Sequence, residues 1–128
     1  MKTYKLKKHG PLFVTKACVV GPHGMSYPNL LLDTGSAHTI IAQEIIYSIG
    51  YNFADPERSQ RIITGSGYEI VPVVSVSKFY CLGQEIEHCQ VLAHTLPFGV
   101  YVDGLLGMDF LSRFDVVMHF KKSRIIIG

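Results

Sequence analysis

The sequence predicts a mostly β, barrel-like domain with one or two short helices. Three observations favour this fold class. The apolar residues fall in short runs rich in β-branched side chains, glycine-containing turns separate these runs, and only two segments place apolar residues at helical spacing. The chain has 128 residues, which suits one domain over residues 1–128. A domain of this length can bury a core that needs no disulfides.

The first half of the chain alternates predicted strands with turns. The predicted strands cover residues 4–7, 11–20, 30–32 and 39–42. Turns are indicated by Gly10 and by the run "GPHG" at Gly21 to Gly24. A helix is predicted over residues 42–49, because its three isoleucines recur at helical spacing and a glycine follows them. The polar residues 51–59 then predict a loop.

The second half begins with two extended arms around a Gly-Ser-Gly tip, which is typical of a long hairpin over residues 61–76. Further strands are predicted over residues 84–93, 100–106, 116–120 and 124–127. A helix of one or two turns is predicted over residues 108–114, and a Lys-Lys-Ser turn separates the last two strands. The chain shows no internal repeat or low-complexity segment that would indicate a second domain.

Charge and cysteine usage exclude several classes of protein. A net charge of +2 is too small to indicate binding to nucleic acid or to an anionic membrane, and the basic start is typical of a solvated strand end. That start contains Lys2, Lys5, Lys7 and Lys8. No apolar run reaches the roughly 18 residues of a membrane span, and Lys16 interrupts the stretch that could resemble an export signal. Three cysteines without framework spacing favour a reducing, cytoplasmic location.

The most informative stretch is "LLLDTGSAHTII", residues 30–41, in which Asp33 directly follows a buried strand. Gly35 permits a tight bend that directs backbone N–H groups toward the carboxylate, and the hydroxyls of Thr34 and Ser36 can hydrogen-bond around it. Such a loop can hold an ionised carboxylate at a strand end with its oxygens outward. An ordinary Asx-type turn uses the same residue types, so this stretch alone leaves both interpretations open.

A second motif favours the catalytic interpretation. Leu105, Leu106 and Gly107 form an apolar-apolar-glycine motif, and the helical run "MDFL" follows it. The order of Asp-Thr-Gly-Ser, a hairpin with Gly65 and Gly67, and this motif resembles the retropepsin-like aspartic proteases, a single-domain family with retroviral and bacterial members. The resemblance extends over nearly the whole chain from about Pro11 onward.

The resemblance implies a retropepsin-like acid-protease barrel and an aspartic endopeptidase that uses no cofactor and no metal. In aspartic proteases two carboxylates share a proton and activate a water molecule. This chain has one Asp-Thr-Gly, and neither Asp103 nor Asp109 lies in such a tripeptide. The second carboxylate is therefore expected to be Asp33 of another copy. This implies a homodimer with its active site on the two-fold axis and a peptide or protein as its substrate.

The resemblance also implies roles for individual residues. Asp33 would bind the lytic water, and the hydroxyl of Thr34 would reach across the two-fold axis to the opposite loop. Gly35 would donate its N–H to the carboxylate, and Ser36 would hydrogen-bond to the outer oxygen. The flap tip, which would close over an extended peptide, comprises Thr64, Gly65, Ser66, Gly67 and Tyr68. The residues that would pack beneath the catalytic loop are Leu105, Leu106 and Gly107.

Two points stay open on this sequence. Retroviral members interleave both chain termini in a sheet between subunits, and the sequence does not decide whether residues 3–7 and 124–127 do the same. The function also has an alternative, a catalytically silent dimer that keeps the fold and binds peptides or proteins. A structural β-domain with Asp33 as a turn residue is a third interpretation.

Two other groups of residues do not predict chemistry. The spacing of one Cys and His group, Cys81, His88, Cys89 and His94, matches no usual zinc pattern. On a strand, His88 and Cys89 would also point to opposite faces. His38 lies near Asp33, but no serine in a nucleophile elbow accompanies it, so that a nucleophilic triad is not predicted.

Overall fold

The structure is a computed structural model that describes residues 1–53, 58–64, 66–96 and 102–128. Its strands are β1 (Lys2–Lys5), β2 (Lys7–His9), β3 (Leu12–Gly21), β4 (Gly24–Ser26), β5 (Asn29–Leu32), β6 (Ile40–Ile41), β7 (Ser59–Thr64), β8 (Gly67–Cys81), β9 (Gln84–Ala93), β10 (Gly104–Leu106), β11 (Val116–His119) and β12 (Arg124–Ile127). The described ranges also contain helices α1 (Gln43–Ser48) and α2 (Met108–Leu111) and a 3₁₀ turn (Phe120–Lys122). The predicted mostly β class is confirmed.

Among the described residues, six strands close into a barrel in the order β3, β5, β10, β6, β9 and β8, and β8 pairs again with β3. Closure rests on an antiparallel register that places Val19 opposite Phe79. The pairs β5–β10 and β6–β9 are parallel, and the other pairs around the ring are antiparallel. Strands β2 and β4 extend the barrel from β3, and β7 extends it from β8. Closure covers sheet edges that would otherwise be free to pair with other chains.

The core fills the barrel with branched aliphatic and aromatic side chains. Phe79 is fully buried and packs edge-on against Phe110 of α2, with ring centroids 5.6 Å apart. Aromatic pairs in this geometry contribute about 0.5–1.5 kcal/mol beyond their buried area. The contact therefore fixes α2 against the barrel. A smaller second cluster is formed by buried Ile40, Val71 and Leu92 at the base of the hairpin.

The N-terminal segment differs from the prediction, which was a single strand over residues 4–7. Strand β1 ends at Lys5 and β2 begins at Lys7, because Leu6 is buried and its N–H donates to the carbonyl of Ser123 at 2.7 Å. Strand β1 pairs with β12 of the same chain, and β12 lies between β1 and β11. Both edges of β12 are therefore occupied within one chain.

The long hairpin is confirmed but extends further than predicted. Its arms are β7 and β8, and the 15 residues of β8 continue beyond the hairpin to pair with β9 and β3. The strand over residues 84–93 is confirmed as β9. Of the strand predicted over residues 100–106, the structure has β10 (Gly104–Leu106). The prediction is wrong for Val102 and Asp103, which precede this strand, and Val100 and Tyr101 lie outside the described residues.

Helix α2 and the segment after the first predicted turn also differ in detail from the predictions. Helix α2 ends at Leu111 instead of residue 114, with Ser112 as its C-cap. The turn at Gly21 to Gly24 is confirmed, and it joins β3 to the short strand β4, which the sequence did not predict. No helix in the described ranges has the length and apolar character needed to cross a membrane.

Candidate active site

The loop that carries Asp33 begins at the end of β5 and is anchored on β10. These strands pair in parallel, with Leu32 opposite Leu106. The backbone N–H of Asp33 donates to the carbonyl of Leu106 at 3.0 Å, which continues the pairing into the loop. The first residue of β10 is Gly104. A glycine is required there because an added Cβ would collide with the carbonyl oxygen of Ile40. The close approach of three strands thus fixes where the loop leaves the barrel.

The loop holds the Asp33 carboxylate by a backbone donor. The N–H of Gly35 donates to Asp33 Oδ1 at 2.9 Å, as expected from the sequence. The N–H of Ser36 donates to the carbonyl of Asp33 at 3.2 Å and closes the turn. The Asp33 side chain is half-buried, whereas Thr34 and Gly35 are exposed in the single chain. The loop therefore presents a carboxylate with one bound N–H at the protein surface.

Ser36 has different partners from those expected. Its hydroxyl donates to the carbonyl of His38 at 2.7 Å and accepts from the N–H of His38 at 3.3 Å. The expectation that this hydroxyl bonds the outer oxygen of the Asp33 carboxylate is therefore wrong for this chain. Serine hydroxyls commonly bond backbone groups two residues away, and this local bond stabilises the second half of the loop.

The apolar-apolar-glycine motif divides its residues between two faces. Leu106 is fully buried beneath the loop, as expected. Leu105 is half-buried and lines the cleft beside the loop, because successive strand residues point to opposite faces. Gly107 packs against the loop itself, where a Cβ would lie 2.5 Å from the carbonyl oxygen of His38. Below it, the N–H of Met108 donates to the carbonyl of Ser36 at 2.8 Å.

A pair of residues that the sequence analysis missed supports the loop from below. Thr39 is buried, and its hydroxyl donates to Asp109 Oδ1 at 2.7 Å. The Thr39 N–H donates to Asp109 Oδ2 at 2.9 Å, and the Phe110 N–H donates to Asp109 Oδ1 at 2.8 Å. The Thr39 hydroxyl also accepts from the N–H of Gly107 at 3.2 Å. The sequence signal would have been an acid in the first turn of α2.

Asp103 is likewise engaged in backbone contacts. Its Oδ2 accepts from the N–H of Asn29 at 2.9 Å, and its own N–H donates to the carbonyl of Asn29 at 2.8 Å. The carbonyl of Asp103 accepts from the N–H of Ala42 at 2.8 Å. Asp103 therefore joins β5 to the segment that precedes β10. Neither Asp103 nor Asp109 pairs its carboxylate with that of Asp33.

The hairpin of β7 and β8 extends beyond the barrel with apolar side chains in solvent. Ile63 and Tyr68 lie opposite each other, and their exposed fractions are 89% and 59%. The guanidinium of Arg61 lies 4.4 Å from the centre of the Tyr68 ring. The expected tip residues Ser66, Gly67 and Tyr68 are exposed, Thr64 ends β7, and Gly65 lies outside the described residues. Apolar groups this exposed are typical of a binding surface.

A cleft of about 500 Å³ separates this hairpin from the Asp33 loop. Its walls include Gly35, Ser36, His38, Ile40, Ile62 and Leu105. The lining combines backbone and polar groups of the loop with aliphatic side chains and with Arg61 of the hairpin. The cleft is therefore suited to an extended chain that offers both peptide groups and apolar side chains.

The Cys and His group is dispersed over separate environments. Burial raises the pKa of the Cys81 thiol to about 12 and that of Cys89 to about 11, from an ordinary value of 9.0. His88 is exposed, whereas His94 lies 3.1 Å from Glu69 on the hairpin. In residues 1–53, 58–64, 66–96 and 102–128, no three His, Cys, Asp or Glu side chains are grouped to hold a metal ion.

Comparison with known proteins places this geometry in a family. Residues 21–110 match the model of a family described as aspartyl protease. No curated protein matches the chain. Among solved structures, the chain is similar to a retropepsin-like aspartic protease from Rickettsia conorii, with a TM-score of 0.72, 16% identity, and coverage of 100% of this chain and 99% of that one. The chain therefore belongs to the aspartyl protease family and has a retropepsin-like fold.

Proposed function

We propose that the protein is an aspartic endopeptidase that acts as a homodimer, with Asp33 of each copy forming the catalytic pair. One observation carries the proposal. The Asp33 carboxylate lies at the surface on an Asp-Thr-Gly loop and is held by the Gly35 N–H at 2.9 Å. Asp103 and Asp109, the acids nearest in sequence to the apolar-apolar-glycine motif, are both committed to structural hydrogen bonds.

The chemistry follows from two carboxylates in contact. Like charges so close do not both ionise, so one carboxylate retains a proton while the other acts as a base. The base takes a proton from a water molecule, whose oxygen attacks the peptide carbonyl carbon. The acid gives its proton to the carbonyl oxygen. The carboxyl that took the proton from water passes it to the nitrogen as the C–N bond of the tetrahedral species breaks. A proton from one of the two hydroxyls returns to the other carboxylate, and no covalent bond to the enzyme forms.

The exposure of the loop in the single chain supports the proposal of a homodimer. Thr34, Gly35 and Ala37 are all exposed in the single chain. A second copy placed on a two-fold axis at this loop would cover them and bring the two acids together. Because both edges of β12 are occupied within one chain, the dimer is expected to use the loop region and not an exchanged C-terminal strand.

The substrate is expected to be an extended peptide segment between the loop and the hairpin. Peptide groups would pair with backbone at the cleft walls, and apolar side chains beside the cut would contact Ile63 and Leu105. The three cysteines are free, which fits the reducing, cytoplasmic setting expected for this enzyme.

The decisive experiment is a peptide-library digest at several pH values with the parent and Asp33→Asn. We expect the parent to cleave and Asp33→Asn to lose cleavage while keeping its fold. Asp115→Asn is a matched control, since Asp115 is exposed and bonds Gly128 through its backbone.

The outcomes separate the proposal from its alternative. Equal cleavage by Asp33→Asn and the parent would refute the assigned role of Asp33. Binding of extended peptides by a dimer without any turnover would favour a silent binding protein. Sedimentation over micromolar concentrations tests the dimer, and a monomer at every concentration that still cleaves peptides would contradict a shared active site.

A further inference from the structure

A second, smaller cavity adjoins the cleft at the base of the hairpin. It has a volume of about 160 Å³ and lies between the start of β7, strand β9 and helix α2. Its polar wall contains His38, Arg58, Gln60, Gln90, Asp109 and Arg113. The mechanism proposed for Asp33 uses none of these side chains. The cavity is nevertheless too polar and too basic to be a packing defect in an apolar core.

The charges in this wall are unbalanced. Neither Arg58 nor Arg113 forms an ion pair with a carboxylate in the described part of the chain. The Arg113 side chain uses Nε to bond the carbonyl of Asp109 at 3.1 Å, which leaves its other N–H groups for a ligand. Among the described residues that line the cavity, the one acid is Asp109, which already accepts three hydrogen bonds from Thr39 and Phe110. The cavity therefore offers two guanidinium groups to an anion.

The cavity is continuous with the path expected for the peptide. His38 lines both the cavity and the cleft. On β7, Gln60 lines the cavity, and Ile62, two residues further, lines the cleft. Residues two apart on a strand are separated by about 7 Å and face the same side. An extended peptide has the same repeat, so a side chain two positions from the one beside Ile62 reaches the cavity.

We propose that this cavity is a subsite for an acidic side chain of the substrate, with Arg58 and Arg113 as its specificity-determining residues. The inference rests on the proposed function and adds a substrate class to it. A carboxylate of Glu or Asp would bond the planar guanidinium groups in paired geometry. In a homodimer each subunit contributes one such subsite, so acidic residues are favoured on either side of the cut, away from the apolar residues beside it.

The test compares pairs of cleavable peptides that differ only by Glu or Gln at one position. We expect the parent to prefer Glu at its favoured position by about tenfold in kcat/KM, which is typical of a hydrogen bond to a charged group. Arg58→Gln and Arg113→Gln should bring that ratio close to one, chiefly by lowering kcat/KM for the Glu peptide. Arg124→Gln, an exposed arginine on β12, is the matched control and should keep the preference.

Arg58→Gln is the more informative variant, because Arg113 also anchors α2 through Asp109. A parent that cleaves peptides but shows no Glu preference at any position overturns the subsite and leaves the proposed function intact. If the parent cleaves nothing, fluorescence anisotropy of the same peptides decides instead. Tighter binding of the Glu peptide that Arg58→Gln abolishes would support the subsite, and equal binding of both peptides would overturn it.

Discussion

Thr39 and Asp109 are 70 residues apart in sequence, yet the Thr39 hydroxyl donates to the Asp109 carboxylate at 2.7 Å in a site where Thr39 is 2% exposed. The same hydroxyl accepts from the N–H of Gly107. One buried side chain thus joins the end of the Asp33 loop to the start of α2. The contact supports the loop that carries the Asp33 carboxylate, although neither Thr39 nor Asp109 lines the cleft.

Thr39→Val should destabilise the protein by about 1–3 kcal/mol, because it leaves part of the Asp109 carboxylate and the Gly107 N–H without a partner in a buried site. Urea unfolding of the parent and variant measures this difference. Thr39→Ser keeps the hydroxyl and should recover most of the loss. Thr95→Val removes an exposed hydroxyl bonded to Glu44 and should change stability by less than about 0.5 kcal/mol. Equal effects at both positions would contradict the role given to Thr39.

Gly107→Ala should distort the Asp33 loop, since the added Cβ would meet the carbonyl oxygens of His38 and Ser36 at 2.5 and 2.9 Å. We expect a loss of stability above about 2 kcal/mol, as for overpacked core sites. Gly10→Ala is the comparison, because Gly10 has φ +57 with open space around it. That variant isolates backbone strain at about 1 kcal/mol. A Gly107→Ala protein as stable as Gly10→Ala would show that the loop can move aside.

Ile63→Ser should leave stability unchanged within about 0.5 kcal/mol, because the side chain is 89% exposed. Under the proposed function it should lower kcat/KM for peptides with apolar residues beside the cut, by raising KM. Val117→Ser on β11 removes an apolar side chain that is 47% exposed and lies away from the cleft, and it should not alter cleavage. A fall in stability with no change in KM would indicate that Ile63 acts in folding and not in substrate binding.

Stability should fall as pH rises from about 9 to 12. Burial raises the pKa of Cys81 to about 12 from 9.0, so in this range the unfolded chain releases a proton that the folded chain retains. The contribution is complete below pH 9 and is lost progressively above it. Between pH 8 and pH 10 Cys81 alone should account for about 1 kcal/mol. Urea unfolding of the parent and Cys81→Ala at both pH values measures it, and a parallel decline in the two proteins would contradict this assignment.

The sequence predicted the elements that depend on local features. These features are the alternation of apolar residues, the glycine turns and the Asp-Thr-Gly tripeptide. Strand β9 and the contact between Gly35 and Asp33 are examples. Contacts between distant segments were not predictable in this way. The bond between Thr39 and Asp109 requires knowing that β10, which leads into α2, lies beside β6. The pairing of β1 with β12 likewise joins segments from opposite ends of the chain.

Ser36 illustrates a different limit. Its hydroxyl has several acceptors within reach, and the choice among them depends on small differences in backbone angle that sequence does not determine. The proximity of the two arginines in the small cavity could not be predicted from the sequence for another reason. Arg58 and Arg113 are 55 positions apart and share no motif, so their common environment depends on the fold alone.

The continuity of β8 has a mechanical consequence for the hairpin. One strand runs from the exposed tip into the barrel wall, and Val71 lies buried between Ile40 and Leu92 where the two parts meet. The hairpin therefore joins the barrel at this small apolar cluster. A chain bound under the tip would contact the same strand that packs against Ile40, seven residues from Asp33, so binding at the tip is expected to influence the position of the Asp33 loop.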